Sequence, residues 1–523
     1  MKKIATATHS FRTLIEKGFI YVDKTKIIYD LLAGDPFYFL SRPRRFGKTL
    51  LISTLQELFM GNRDFFKDCW INSSDYTWER YPVILLDFST MDGTSPENFE
   101  KSLAYDLDLK AKEFTIDTSG SSSPIDKLKA LVQGLAKKNK VVILIDEYDY
   151  PIVNNIENPQ LLNENLKIVN NFFTAIKGLS KDFVHAVFVT GVSPIPKTSA
   201  YSGMNILNNI SLKPRAATLL GYTKEELLTY FSHAIHQLTV LEQTSQEKLL
   251  DKIQLWYNGY RFSENEEKVY NPFSLHYLFE DKKFANYWFS SATPKFLLSL
   301  LKKNSFNLQT IEHGPFWENS LTSLDHEEPQ LSPLLFQTGY LTISSYNKKT
   351  DSYELDYPNY EVKESYNLAL IVAITRTNEN KIKSLIEPLR EALLENEMQE
   401  VCSLLKIIFA QIPHQIGEHH ENFYHTMVQS FFILLGFETE SEISTNRGRI
   451  DLAVFTKKFT YIFEFKVRTS PETALKQIED RAYYERYLSS PKIKKESTVV
   501  LVGMTFSKRY GEATVSCECK KLS

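Results

Sequence analysis

Two groups of residues in this sequence have the types and the spacing needed for chemistry on phosphate. The first is the run FYFLSRPRRFGKTLL at residues 37–51, in which Gly47-Lys48-Thr49 joins a strand-like stretch to a helix-like one. This is the ending of a phosphate-binding P-loop. In such a loop, main-chain N–H groups hold phosphate oxygens, the lysine reaches the β- and γ-phosphates, and the hydroxyl binds Mg²⁺.

A second segment strengthens this interpretation. The full P-loop pattern asks for a glycine where this chain has Arg42, so Gly-Lys-Thr alone is a weak signal. Residues 141–149 read VVILIDEYD, which predicts a buried parallel strand that ends in Asp146-Glu147. In P-loop ATPases such an aspartate holds Mg²⁺ through water, and a following glutamate polarises the attacking water. The two segments together predict a nucleotide site.

The other group lies in GRIDLAVFTKKFTYIFEFKV at residues 448–467. Glu464 and Lys466 are two apart in a strand-like run, so they share a face, and a hairpin would bring Asp451 beside them. Two carboxylates and an amine suit a divalent metal, Mg²⁺ or Mn²⁺, with a positioned water. An E-x-K pair alone is common on surface hairpins, but here the neighbouring residues are strongly apolar.

The composition of the chain limits the classes of protein to which it can belong. The chain has 523 residues, 43% of them hydrophobic and 24% charged, which is typical of a globular protein with two to four domains. The net charge of −3 gives no global support for nucleic-acid binding. The four cysteines form no C-x-x-C pairs, so neither zinc nor a disulfide framework is indicated. The N-terminus lacks a signal-peptide core and no apolar run reaches membrane length, so we expect a cytoplasmic protein without a membrane partner.

The pattern along the chain alternates strand-like and helix-like segments. Strand-like runs lie at 37–40, 83–88, 141–146 and 184–192, and this alternation predicts a parallel sheet with crossover helices. The later part of the chain is predicted to form helices over 222–258, a hairpin within 338–359, a helix at 421–436, strands at 437–443, 449–455 and 459–466, a helix at about 471–488 and a strand at 498–506.

These phrases carry a resemblance to known families. Residues about 8–290 resemble the bacterial AAA-ATPase-like domain, through YVDKT (21–25), RPRRFGKTL (42–50), LIDEYDYPI (144–152), VTGVSPI (189–195), GYTKEEL (221–227), WYNGYRF (256–262) and YNPFS (270–274). Residues about 415–515 resemble the PD-(D/E)XK nuclease-like domain, through GRIDL (448–452), YIFEFKV (461–467), ALKQI (474–478) and VLVGMTFS (500–507). Arg42 in place of the first P-loop glycine is typical of the first family.

The resemblance implies ATP binding and hydrolysis in the first domain and a restriction-endonuclease-like core in the last. The implied nucleotide-site residues are Arg45, Gly47, Lys48, Thr49, Asp146 and Thr190, with Mg²⁺ at Thr49 and Asp146 and with Glu147 as the catalytic residue. The implied nuclease residues are Asp451, Glu464 and Lys466, with Mg²⁺ or Mn²⁺ at the two acids and Ile450 where the motif has proline. Further candidates are Arg44, Arg215 and Ser193 for phosphate, and Glu421, His425, Gln477 and Tyr483 for the nuclease-like site.

The predicted fold class is α/β: a P-loop NTPase parallel sheet with a helical lid, a helical connector and a C-terminal restriction-endonuclease-like α/β domain. The expected boundaries are 1–220 for the core, 221–295 for the lid, 296–414 for the connector and 415–523 for the nuclease-like domain. The leading hypothesis is an ATPase coupled to a metal-dependent nuclease that acts on DNA or RNA, and an oligomer is compatible with it. The alternatives are a signalling NTPase whose last domain binds nucleic acid without cutting it, and an ATP-controlled protein-interaction switch.

Overall fold

A computed structural model gives the structure of the protein. It describes residues 2–34, 36–155, 158–193, 199–292, 314–322, 330–412, 421–445, 448–482, 484–488, 497–509 and 512–522. The described chain divides into two compact units, and the boundary falls between residues 362 and 363.

The first unit is built on a parallel sheet of five strands. Its strands are β1 (Phe37–Ser41), β2 (Val83–Asp87), β3 (Val141–Asp146), β4 (Val184–Gly191) and the short β5 (Asn208–Asn209). They lie in the order β2-β3-β4-β1-β5, and every paired strand is parallel to its neighbour. All six residues of β3 are buried, because both faces of its part of the sheet are covered. The parallel sheet predicted from the alternating pattern is confirmed.

Helices form most of the remainder of the first unit. They are α1 (Phe11–Glu16), α2 (Thr25–Leu32), α3 (Lys48–Phe59), α4 (Pro96–Glu113), α5 (Pro124–Ala136), α6 (Tyr150–Val153), α7 (Pro159–Ser180), α8 (Lys224–Leu241), α9 (Gln246–Tyr257), α10 (Pro272–Asp281), α11 (Tyr287–Ala292), α12 (Glu318–Leu321) and α13 (Leu331–Thr338). Apolar faces of α4, α5 and α7 pack with β2, β3 and β4 in one buried cluster. Helix α8 begins with a capping box, in which Thr223 and Glu226 exchange hydrogen bonds of 3.2 and 2.8 Å.

The WYNGYRF phrase forms a tight junction in this unit. Gly259 has a φ of 109°, and a Cβ there would lie 1.8 Å from the carbonyl oxygen of Pro358, so only glycine fits. Arg261 is buried and donates to four main-chain oxygens, those of Ser263, Glu264, Asn265 and Ser344. The hairpin expected within 338–359 is present as β6 (Thr342–Asn347) and β7 (Ser352–Asp356).

The second unit contains a second five-stranded sheet. Its elements are α14 (Tyr360–Thr375), which contains the boundary, then α15 (Glu379–Leu394), α16 (Met398–Phe409), α17 (Glu421–Leu434), β8 (Glu438–Thr445), β9 (Gly448–Phe455), β10 (Phe459–Val467), α18 (Pro471–Arg481), α19 (Glu485–Leu488), β11 (Thr498–Arg509) and β12 (Glu512–Lys521). The strand order is β12-β11-β10-β9-β8, in which only the β10–β11 pair is parallel among the described strands.

The structure differs from the sequence-based expectation at two points of this unit. The single helix expected over 471–488 is two helices, because Ala482 takes a left-handed φ of 48° and α18 ends at Arg481. Strand β12 was not foreseen, although it pairs with β11 along its length. No helix among the described residues combines the length and the apolar character needed to cross a membrane.

Candidate nucleotide and phosphodiester sites

The phosphate loop joins the end of β1 to the start of α3. Gly47 is the N-cap of α3 and has a left-handed φ of 93°, which glycine adopts without strain. The ammonium of Lys48, the next residue, is buried and donates 3.1 Å hydrogen bonds to the carbonyl oxygens of Arg42 and Pro43. Burial lowers the pKa of Lys48. The loop therefore wraps around the lysine ammonium that the sequence predicted to meet phosphate.

Arg42, the departure from the P-loop pattern, has a structural role. Its guanidinium is buried and donates to the carbonyl oxygens of Ser41, Ser211 and Ala216 at 2.6–2.9 Å. It also lies over the ring of Phe262 at 4.1 Å from the centroid. Arg42 thus fastens the base of the phosphate loop to two other segments of the first unit.

The loop is also held by Trp288. The indole Nε1–H of this buried residue donates a 3.0 Å hydrogen bond to the carbonyl oxygen of Arg44. The main-chain N–H of Trp288 donates at 2.6 Å to the buried carboxylate of Glu361, which lies in α14. Sequence reasoning missed both residues, because they are more than 240 positions from the loop and belong to no phosphate-binding motif.

The acidic end of β3 lies next to the end of β4. Thr190 donates its hydroxyl hydrogen to the buried carboxylate of Asp146, and the main-chain N–H of Glu147 donates to the same oxygen at 3.1 Å. Glu147 has a φ of 48°. Burial raises the pKa of Glu147, and the charge of Lys48 partly opposes that shift. Thr190 thus orients the carboxylate of Asp146, and its contact with phosphate stays a prediction.

Asp149 and Ser193 form a neighbouring buried pair. The Asp149 carboxylate accepts hydrogen bonds from the main-chain N–H groups of Val192 and Ser193 and from the Ser193 hydroxyl, at 2.5–3.2 Å. This arrangement fixes the start of the segment after β4. Ser193, considered from the sequence as a phosphate contact, is thus engaged with Asp149.

A cavity of about 480 Å³ lies beside the phosphate loop. Its lining includes Arg45, Gly47, Lys48, Thr49 and Glu147, five of the predicted site residues. Thr49 and Arg45 are exposed, and the Arg45 guanidinium lies 5.1 Å from the centroid of the Phe273 ring. The volume falls in the range of small-molecule sites, which is about 300–1,000 Å³.

Asp87 lines the same cavity and was missed by the sequence analysis. It ends β2, directly opposite Asp146 in the parallel register. The signal was present, because VILLD at 83–87 ends in an acid as VVILID does. Arg215, in contrast, lies over the ring of Tyr38 at 5.4 Å from its centroid and is not among the residues that line the cavity.

The second unit brings together the other predicted residues. The main-chain N–H of Phe465 donates a 2.8 Å hydrogen bond to Oδ2 of Asp451, across the antiparallel β9–β10 pair. On β10, the Lys466 ammonium lies 3.0 Å from Oε1 of Glu464 and 2.9 Å from Oε1 of Glu421, which begins α17. Gln477 of α18 donates its amide hydrogen to Glu464. Four elements, β9, β10, α17 and α18, therefore converge on this cluster.

Glu464 and Lys466 have shifted pKa values in this cluster. Burial and then the charge of Asp451 raise the pKa of Glu464 to about 7, against the opposing charge of Lys466. Burial lowers the pKa of Lys466, but its bonds to Glu421 and Glu464 outweigh that effect and leave the pKa raised. The ammonium is thus held in its charged form between two carboxylates.

The donor set fits a hard divalent ion. Oε2 of Glu464 is buried, and no described residue donates a hydrogen bond to it. A buried carboxylate oxygen of this kind is costly unless a cation or a proton meets it. Within the described ranges no three His, Cys, Asp or Glu side chains are arranged closely enough to hold a metal by themselves. Mg²⁺, however, is usually bound through one or two carboxylates together with waters and substrate phosphates, so two acids suffice.

Three further residues were named for this site from the sequence, and the structure describes two of them. Ile450 is fully buried, as expected for a motif position that is not a ligand. His425 is buried with its ring 5.5 Å from that of Phe465, so it packs behind the cluster. Tyr483 lies outside the described residues.

The parallel sheet with its phosphate loop is typical of an ATPase-like domain, and the second sheet with its acid–lysine cluster is typical of a nuclease-like domain. Residues 5–201 match the family described as "Predicted AAA-ATPase", and residues 419–511 match the PD-(D/E)XK nuclease superfamily. The "Uncharacterized protein in vnfD 5'region" of Azotobacter chroococcum mcd 1 is 32% identical over 519 residues, which cover 97% of each chain. The chain belongs to this family, in which a predicted AAA-ATPase domain precedes a PD-(D/E)XK domain.

A solved structure is also similar to part of the chain. It is the Walker-type ATPase paby2304 of Pyrococcus abyssi, and the match covers 66% of this chain and 94% of that one. The identity is 12% and the TM-score is 0.33.

Proposed function

We propose that the first unit binds and hydrolyses ATP and that the second cuts phosphodiester bonds in nucleic acid with a divalent metal. The observation that carries the first part is that Gly47, Lys48, Thr49 and Glu147 line the same cavity. The observation that carries the second is the convergence of Asp451, Glu464 and Lys466 on one strand pair.

In the ATPase step, each residue has a distinct task. The N-terminus of α3 offers N–H groups to phosphate oxygens, and the Lys48 ammonium exchanges its two carbonyl partners for the more negative phosphate. Thr49 and Asp146 would hold Mg²⁺, which offsets charge on the phosphates. Glu147 accepts the proton of the attacking water, and its raised pKa brings it closer to neutral pH for that purpose.

In the phosphodiester step, Asp451 and Glu464 would hold Mg²⁺ or Mn²⁺, which lowers the pKa of water and stabilises developing charge on the phosphate. The bond from the N–H of Phe465 fixes one oxygen of Asp451. Lys466 orients the water, and Glu421 keeps the lysine ammonium in place.

The experiment for the ATPase uses nucleotide binding and phosphate release by the full chain. Lys48→Ala should abolish binding, whereas Glu147→Gln should bind ATP and lose hydrolysis, because only the group that polarises the water is removed. Lys127→Ala is the matched control, since Lys127 is also a buried lysine but pairs with Asp108 outside the cavity. If Lys48→Ala binds ATP as tightly as the wild-type protein, the proposed site is wrong.

A further inference from the structure

The cavity beside the phosphate loop extends into a recess that the phosphates of a nucleotide do not account for. We define the base recess as Ala5, Ile20, Val22, Tyr222, Phe273 and His276, all of which line the cavity. They come from the N-terminal segment, from the residues before α8 and from α10. Apolar and aromatic side chains dominate this set, which is typical of the part of a site that takes a planar ring.

Helix α10 links the base recess to the phosphate loop. Phe273, near its start, lies under the guanidinium of Arg45 from that loop. His276 is three residues further along α10, so it lies on the same face. Its Nδ1 is 2.8 Å from the carbonyl oxygen of Ala5, and its Nε2 is 2.9 Å from the hydroxyl of Tyr222. The histidine therefore joins all three segments of the base recess.

The direction of these hydrogen bonds follows from the acceptor. A carbonyl oxygen only accepts, so Nδ1 of His276 carries a hydrogen. Burial lowers the pKa of His276 to about 4, so the ring is neutral near pH 7 and its Nε2 is an acceptor. The hydroxyl of Tyr222 must then donate to Nε2. Because the hydroxyl hydrogen of Tyr222 is already donated to Nε2 of His276, the hydroxyl oxygen can only accept a further hydrogen bond.

We propose that Tyr222, held as an acceptor by His276, makes the base recess select an adenine base through its exocyclic amino group. The amino group at position 6 of adenine donates a hydrogen bond, which this hydroxyl oxygen accepts. Hypoxanthine and guanine carry an oxygen there, so two acceptors would face each other. This inference rests on the proposed nucleotide site.

The positions of the carboxylates in the cavity agree with this selection. A guanine base presents N–H donors that a carboxylate would accept, but the described lining residues with carboxylates are Asp87 and Glu147. Both follow the carboxyl ends of strands, beside the predicted Mg²⁺ residue Asp146. They belong to the phosphate end of the cavity and not to the base recess.

The test compares ADP with IDP by calorimetry on the full chain at pH 7.5, since these nucleotides differ only in the base and are not hydrolysed at a γ-phosphate. The wild-type protein should bind ADP about ten- to a hundred-fold more tightly, as expected for one unmade buried hydrogen bond. Tyr222→Phe should bring the ratio towards one, because ADP loses the acceptor for its amino group and IDP no longer faces a second acceptor. Tyr230→Phe is the control, because its hydroxyl bonds the main chain of Asp23 and it does not line the cavity.

The outcomes separate this inference from the proposed function. If the wild-type protein binds ADP and IDP equally while Lys48→Ala binds neither, the nucleotide site stands and adenine selection is wrong. If Lys48→Ala binds both as tightly as the wild-type protein, the nucleotide site and the inference fail together. The comparison of the two nucleotides on wild-type protein needs no variant, so it stays decisive even if Tyr222→Phe fails to fold.

Discussion

The main-chain N–H of Phe465 donates a 2.8 Å hydrogen bond to the carboxylate of Asp451. Phe465 lies between Glu464 and Lys466, so this bond places the acid from β9 beside the acid and the amine of β10. Two carboxylates in such proximity repel each other, which is one cause of the raised pKa of Glu464. The site is therefore built to gain free energy when a cation enters.

Stability without metal should depend on pH through Glu464. Its pKa is raised to about 7 in the folded protein, against about 4.3 for glutamate in an unfolded chain. The folded state therefore binds this proton more tightly, and the contribution to stability is complete below about pH 4 and is lost as pH rises through 7. In metal-free buffer, the melting temperature should fall between pH 5 and 8. Glu464→Gln should remove that part of the slope, and identical slopes for the two proteins would contradict the assigned shift.

Lys466 should be required for catalysis but not for metal binding. Lys466→Ala leaves Asp451 and Glu464 intact but removes the cation between Glu464 and Glu421. We expect a lower melting temperature without metal, a larger increase on addition of Mn²⁺, and cleavage slower by about 10²–10⁴-fold. Lys458→Ala, which removes an exposed ion pair with Glu395, is the control. It should change neither the effect of Mn²⁺ on the melting temperature nor the rate of cleavage. If Mn²⁺ did not raise the melting temperature of Lys466→Ala, the lysine would be required for metal binding, which contradicts the role assigned to it.

Two glycines should respond in opposite directions to the same substitution. Gly259→Ala places a Cβ 1.8 Å from the carbonyl oxygen of Pro358, at a φ of 109°, so it should destabilise the first unit by about 1–3 kcal/mol or more. Gly178→Ala, at an exposed position in the last turn of α7, meets no atom within 4 Å and should stabilise by up to about 0.5–1 kcal/mol. Urea unfolding of both variants measures the changes. Equal effects of the two substitutions would show that the junction at Pro358 is looser than the structure indicates.

The sequence predicted those strands and helices that the local pattern of apolar and polar residues determines. The β-branched run ending in Asp146 and the apolar residues around Glu464 marked strands that hold residues of the two proposed sites. Contacts between distant segments could not be predicted in this way, because the hydrogen bond from Trp288 to the phosphate loop and the link from His276 to Ala5 depend on tertiary packing. Strand β12 was missed for a similar reason: its polar run EATVSCECKK becomes a strand by pairing with β11.

The most direct test of the account is cleavage of end-labelled nucleic acid by the full chain. Single- and double-stranded DNA and RNA are each incubated with Mg²⁺ or Mn²⁺, with and without ATP. We expect the wild-type protein to cut at least one substrate in a metal-dependent reaction. Asp451→Asn and Glu464→Gln should lose this activity completely, and the control Glu395→Gln should keep it in full. Failure of the wild-type protein to cut any substrate, or equal cutting by Asp451→Asn, would contradict the assignment of this cluster as a phosphodiesterase site.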